Sequence, residues 1–596
     1  MYNKYHTQPL YEVTRTLAAV AQGTTPADMV ITDARLVNVC TAEIIEHTDV
    51  AISKGRIALV GDASHCIGAQ TKVIDAAGSY LAPGFLDGHI HVESSMLSVS
   101  EYAKAVLPHG TVGIYMDPHE ICNVLGLDGV KYMMEDAKGT PLKAMLTTPS
   151  CVPAMPGFED TGAAIGPDEI RETMQWDNVV GLGEMMNFPG VLSSTDHPHD
   201  EIAETLRAGK VVTGHYSMPE TGKGLNAYIA SGICCCHEST RAEDALAKMR
   251  LGMYAMIREG SAWHDLKEVI RVITENKVDS RFAVLVSDDA HPHTLMAQGH
   301  IDHILRRALE EGVDPITAIQ MVTINCAQCF RMDNELGSVT PGKLADLVFL
   351  QDLSKMNVIR VIVEGHVVSE HGKMIAEITP YAFPEVALHS MHIKGQITAD
   401  SFRIPAQTKA DEIRVIEVIP TRVGTFETHV TLQGQDGFLE SDTTQDVLKA
   451  AVFERHHETG KVGYGFIKGF GIKHGAMAST VAHDAHNLLV VGTNDADMAL
   501  AANTLIQCEG GMAVVADGKV LGVVPLPIAG LMNDKSVEEM SELVATLDHA
   551  WQDIGCVMES PFMTMALIPL ACLPELRLTN RGLVDCNKFE FVSLFV

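Results

Sequence analysis

Between residue 81 and about residue 335 the chain repeats one pattern. A short apolar run ends in polar residues, and a stretch with helical spacing follows. Eight runs fit it, at 80–87, 111–116, 142–147, 179–183, 210–214, 233–236, 252–257 and 282–286. Such alternation over about 250 residues predicts eight parallel strands and their helices closed into a barrel. Before it, apolar runs at 29–32, 34–39, 48–52 and 56–60, with a turn at Lys54-Gly55, predict a small β unit. Residues 337–375 return to that character, and the two β segments are expected to share one sheet beside the barrel. Residues 390–596 hold further strand-like runs, a glycine-rich stretch at 460–475 and a helical stretch at 495–507.

The expected class is therefore α/β, a (β/α)8 barrel with a flanking small β domain and an additional C-terminal domain. Residues 1–80 would supply an N-terminal segment and the first part of the β domain. Residues 81–335 would form the barrel, 336–385 the second part of the β domain, and 386–596 the C-terminal domain. A chain of 596 residues accommodates two to four domains.

Functional groups of such a barrel belong at the C-terminal ends of its strands. The first run ends in His89 and His91, which point the same way in extended backbone. The second ends in Asp117-Pro118-His119-Glu120, the fourth in Glu184, the fifth in His215 and the sixth in His237-Glu238. The eighth ends in Ser287-Asp288-Asp289-Ala290-His291. Six of the eight ends thus carry groups that bind metal or move protons. The third and seventh end in Thr147-Thr148 and Arg258-Glu259, with no role assigned.

Charge and composition narrow the partners. A net charge of −32 repels phosphate backbones, so no nucleic-acid partner is expected. The first residues show no apolar core of a signal peptide, and no run of about 18 uncharged apolar residues predicts a membrane span. Thirteen irregularly spaced cysteines, including Cys234-Cys235-Cys236, suit free thiols in a reducing cytoplasm.

The strand-end pattern resembles the amidohydrolase superfamily. Pro83-Gly84-Phe85-Leu86-Asp87-Gly88-His89-Ile90-His91 and Gly342-Lys343-Leu344-Ala345-Asp346 carry that likeness. His91-Val92-Glu93-Ser94-Ser95-Met96, Gly183-Glu184-Met185-Met186-Asn187 and Ser287-Asp288-Asp289-Ala290-His291-Pro292 are similar to the bacterial adenine deaminase family within it. The resemblance implies two divalent metal ions (Mn, Fe or Zn), with His89, His91 and Asp288 at one and His215 and His237 at the other. Glu184 would bridge them where many relatives use a carboxylated lysine. It implies deamination of adenine to hypoxanthine and ammonia, with another 6-substituted purine or a cyclic amide as the alternative. Asp288, Glu184, Asp117 and His119 are the expected catalytic groups. Glu120, Glu93, Asp289 and His291 are expected to hold the purine. Asp117, His119, Glu120 and Glu93 retain an alternative, as hydrogen-bond partners behind His89 or His91. A cytoplasmic homo-oligomer is further implied.

Two rival classes fit less well. A cytidine-type zinc deaminase needs His-x-Glu and a later Pro-Cys-x-x-Cys. His91-Val92-Glu93 matches the first, but Asn325 precedes Cys326-Ala327-Gln328-Cys329. A non-catalytic scaffold would have shed ligands, and all six are present. In the C-terminal part, His483-Asp484-Ala485-His486-Asn487 follows a run of small residues. The expectation is a self-satisfied polar turn, with a wall or lid of the active site as the alternative.

Overall fold

The computed structural model describes residues 3–419, 424–558 and 560–596. Eight parallel strands form the barrel: Phe85–Ile90, Thr111–Met116, Lys143–Thr148, Val179–Met185, Val211–Gly214, Cys235–Cys236, Tyr254–Arg258 and Ala283–Val286. Five pair side by side in one sheet and three in a second. Bridges Val212↔Ile233 and Ile90↔Asp288 join the two into a closed ring. The first three strands are buried at every position, as expected where both faces of a parallel sheet are covered.

One expected run divides. Residues 80–83 do not belong to the barrel. Tyr80–Pro83 lies in a separate sheet, antiparallel to Leu347–Leu350, and the first barrel strand starts at Phe85. Gly84 is the switch point, where a Cβ would stand 2.3 Å from Val112 Cγ2. The close pass of the chain between the two bodies therefore requires glycine.

The flanking sheet joins strands from Met29 to Pro83 with strands from Leu347 to Met374. Two runs read as separate strands, 29–32 and 34–39, are one strand, Met29–Asn38. It carries register shifts between Ile31 and Leu36, and Asp33 sits at φ 54°. The N-terminal helix Leu10–Ala21 packs Val13, Leu17 and Val20 against this unit.

A ten-stranded sheet occupies the C-terminal part, from Ile404–Pro405 to Lys519–Pro525. Helix Asp495–Gln507 spans the residues expected from the sequence. It starts at Asn494, whose side chain accepts the Asp497 amide at 2.8 Å. Helix Val537–Asp553 starts in a capping box made by Ser536 and Glu539. It packs against helix Pro292–Ala297, next to the last barrel strand, and so lies over the barrel mouth.

Candidate metal centre at the barrel mouth

His89 and His91 leave the end of the first barrel strand with perpendicular rings 4.7 Å apart. Asp288, just past the eighth strand, closes the ring over them. Its amide donates to the His89 carbonyl at 2.9 Å, and its carbonyl accepts the His91 amide at 3.0 Å. It does so at φ 66°, a left-handed conformation that aspartate tolerates better than most residues. The Asp288 carboxylate then stands 3.3 Å from His89 Nε2 and 3.4 Å from His91 Nε2.

Glu184 lies at the centre of the second group. Its carboxylate is 2.6 Å from His215 Nδ1, 3.0 Å from His237 Nε2 and 3.6 Å from His91 Nε2. The backbone beneath it is fixed by Asp117, whose carboxylate accepts the Glu184 amide at 2.7 Å. That approach needs Gly183, since a Cβ there would meet Asp117 Oδ2 at 2.5 Å. Asp117 also orients His91, because the ring Nδ1 faces the Asp117 carbonyl at 2.8 Å. With Nδ1–H donating to that carbonyl, Nε2 is left as a lone-pair donor toward the shared space.

All six expected metal residues are therefore brought together. So are Asp117 and His119. His119 Nδ1 is 3.4 Å from Glu184, and its Nε2 is 3.7 Å from Asp484. The expected purine-holding residues spread over two adjoining cavities. Glu120 and Asp289 line one of about 110 Å³ together with His91, Glu184, His215, His237 and Asp288. Glu93, Glu120 and His291 line the other, of about 310 Å³, whose far wall includes Trp551 and Phe562. Ser94, Glu120, His483 and Met563 belong to both.

Three groups stand outside the expected metal, catalytic and purine-holding sets. Arg258, at the end of the seventh strand, is buried and donates to Asp288 Oδ2 at 3.0 Å and to Glu238 Oε1 at 2.5 Å. Its position at a strand end was visible, but arginine is no metal ligand and so drew no role. Glu238 faces His237 at 3.7 Å and His215 at 4.0 Å. Asp484 comes from the C-terminal sheet domain. There the structure corrects the expectation of a self-contained turn: His483 and Asp484 form a wall of the mouth. His486 points behind them, fully buried, with Nε2 3.9 Å from Glu120.

Electrostatics set what this space accepts. Six carboxyl groups line the smaller cavity against a single guanidinium, Arg258. Burial alone would raise the Glu184 pKa, but His215 and His237 outweigh it and hold the carboxyl well below its usual range. Burial is likewise outweighed at Asp288, by the adjacent imidazoles of His89 and His91 and by Arg258. Against the same opposition, Arg258, His215 and His237 hold Glu238 at about 2. Glu93 is the opposite case, pushed up to about 7 by burial and by Glu120.

The residues fit divalent cations on a separate ground. Among the described residues, fourteen buried side-chain polar atoms lack a hydrogen-bond partner, and eight belong to this region. They include His89 Nε2, His119 Nδ1, Glu120 Oε2 and Asp484 Oδ2. Buried polar atoms are normally satisfied, so a cluster of unsatisfied donors of lone pairs calls for a cation. Donor atoms of His89, His91 and Asp288 lie within 4.8 Å of one another, as do those of His89, Glu184 and His237. Imidazole and carboxylate donors suit borderline ions such as Mn, Fe or Zn.

Comparison with known proteins gives matches over nearly the whole chain. The family model described as "Amidohydrolase family" matches residues 80–368, and that described as "Adenine deaminase C-terminal domain" matches 422–590. A protein of Clostridium botulinum named adenine deaminase is 73% identical over 597 residues, covering 100% of both chains. Another so named, from Moorella thermoacetica, is 55% identical over 98% of this chain and 99% of its own. Among solved structures, a β-aspartyl dipeptidase of Fervidobacterium islandicum AW-1 aligns over 60% of this chain and 98% of its own, at 16% identity and a TM-score of 0.45.

Proposed function

The chain belongs to the adenine deaminase family of the amidohydrolases, and from that premise we propose how its mouth residues share the work. The reaction replaces the amine at C6 of adenine by oxygen: adenine and water give hypoxanthine and ammonia. The observation that carries the assignment of roles is the convergence of four imidazoles and two carboxylates from five barrel strands on one space.

His89, His91 and Asp288 would hold one divalent ion, and His215 and His237 a second, with Glu184 contributing to both. The chemistry such ions supply when bound is a water acidic enough to attack carbon at neutral pH. Asp288 accepts a proton from the attacking water and is kept ionised for that purpose by His89, His91 and Arg258. Arg258 holds the other Asp288 oxygen at 3.0 Å and so fixes which oxygen faces the water. Attack at C6 places electron density on the ring, and a ring nitrogen must take up a proton. Glu93, with a pKa near 7, and the adjacent Glu120 face the larger cavity and supply that contact. The exocyclic nitrogen gains the proton that Asp288 took from the water and leaves as ammonia. His119, between Glu184 and Asp484, is placed to move that proton. The second water proton, lost as the C6 carbonyl forms, restores the one given to the ring.

Leu567, Leu570, Leu573 and Met563 cover the mouth with apolar surface and keep bulk water from the attacked carbon. Among the described residues no helix is long and apolar enough to cross a membrane.

The direct test is ammonia release from a panel of purines and cyclic amides, with protein loaded separately with Mn, Fe and Zn. Adenine should yield ammonia and hypoxanthine in equal amounts. Release from a cyclic amide but not from adenine would overturn the substrate assignment, and activity without added or bound metal would overturn the centre.

A further inference from the structure

Three thiols meet in the barrel wall, away from the mouth. Cys234 and Cys235 stand at the start of the sixth barrel strand, and Cys329 closes helix Ile324–Cys329, which follows the eighth. The three sulfurs lie within 4.8 Å of one another. Cys235 and Cys329 are buried and Cys234 is half-buried, and all three are free thiols. Buried single cysteines are ordinary core residues. Three sulfurs brought together from segments more than ninety positions apart, with no imidazole or carboxylate in the group, offer a ligand set made of sulfur alone.

The spacing fits an ion. A metal about 2.3 Å from each of three thiolates separates the sulfurs by about 4.0 Å, within the limit seen here. A disulfide would use two of the sulfurs at about 2.05 Å and leave the third over. Donor chemistry also separates this place from the mouth. There the donors are nitrogen and oxygen; here they are sulfur alone, which selects soft ions of low coordination number, Cu(I) or Zn(II) and their heavier analogue Cd(II). Hydrogen bonds from Cys235 and Cys329, with the nearby Arg331 charge, favour the Cys234 thiolate.

We propose that Cys234, Cys235 and Cys329 form a three-thiolate site for a soft, thiophilic cation, separate from the centre at the mouth. Binding exchanges thiol protons for the ion, so protons are released to solvent. It ties the helix ending at Cys329 to the strand that reaches His237 two residues beyond Cys235.

The test uses the manganese-loaded enzyme, reduced with a non-thiol reductant and titrated with Cd(II). Sulfur-to-cadmium charge transfer reports thiolate ligation and is not given by nitrogen or oxygen donors. Wild type should saturate at one equivalent, release protons, and show three sulfur neighbours by X-ray absorption. Cys329→Ala and Cys234→Ala should each weaken Cd(II) binding by at least about 100-fold, whereas Cys40→Ala, at an exposed lone thiol, should leave it unchanged. Cys234→Ala changes a half-buried position, so it decides the matter should Cys329→Ala fail to fold. No charge-transfer band in wild type, an unaltered band in Cys234→Ala, or a shell of nitrogen and oxygen around cadmium would each overturn the proposal.

Discussion

At the N-terminal end of the barrel strands, Lys143 stands between Asp346 at 2.9 Å and Glu364 at 3.0 Å. At the C-terminal end, Glu184 and Asp288 face a ring of imidazoles and further carboxylates. Both places are buried. Below, one lysine is shared by two carboxylates, whose other oxygens are hydrogen-bonded apart from Asp346 Oδ2. The Asn3 side chain and the Thr7 amide satisfy both Glu364 oxygens, and the Glu364 amide bonds Asp346. Above, polar atoms converge without partners. The same burial thus does different work at the two ends. Paired charge fastens the barrel to the flanking sheet, and unpaired charge makes a receptor for cations.

Breaking the receptor should cost most in rate. Glu184→Gln keeps the shape but removes the charge and one oxygen ligand. Deaminase kcat should fall by roughly three orders of magnitude, the scale of several kcal/mol of transition-state stabilisation. The melting temperature of the metal-free protein should barely change. Normal turnover with unchanged metal content would make Glu184 structural.

The opposite pattern is expected below. Lys143→Met leaves Asp346 and Glu364 buried beside each other and should cost about 3–5 kcal/mol of stability, read by denaturant unfolding. Turnover of the folded fraction should stay near wild type. A loss of kcat without a loss of stability would erase the distinction between the two ends.

A finer cut runs through one loop. Asp484→Asn alters the group facing His119 and should lower kcat about 10–100-fold at nearly constant melting temperature. His486→Ala removes a fully buried ring whose Nδ1 accepts the Ala482 amide at 3.2 Å. It should lower the melting temperature with little change in the turnover of the folded fraction. Reversed outcomes would exchange the roles of the two residues.

The smallest effect concerns acid. Burial would raise the Glu364 pKa, but Lys143, Thr7 and Asn3 hold it at about 2. A carboxyl depressed on folding stabilises the protein above its unfolded pKa of about 4.3. That stability is lost as pH falls through the folded value. Wild type should therefore lose stability more steeply than Glu364→Gln between about pH 4.3 and pH 2 in acid titrations followed by circular dichroism. Parallel titrations would show that Glu364 gains nothing from its partners.

The barrel was legible because parallel strands covered on both faces read as unbroken apolar runs, and the polar residues that end each run stand out. His89, His91, Glu184, His215, His237 and Asp288 all announced themselves in that way. Less was legible where a backbone switch or a long-range contact decides. Nothing in 80–87 shows that Pro83-Gly84 passes the chain from one sheet to another. Nothing near His119 shows that Asp484, some 365 positions later, stands 3.7 Å away. Arg258 was visible at a strand end, yet its meaning depends on Glu238 and Asp288, which only the closed barrel brings to it.

Metal content measured alongside activity tests the central claim most directly. The purified chain should carry about two divalent ions by elemental analysis. Chelation should remove both the ions and ammonia release from adenine, and one added metal should restore both together. A chelated, metal-free protein that still deaminates adenine at the full rate would contradict the account.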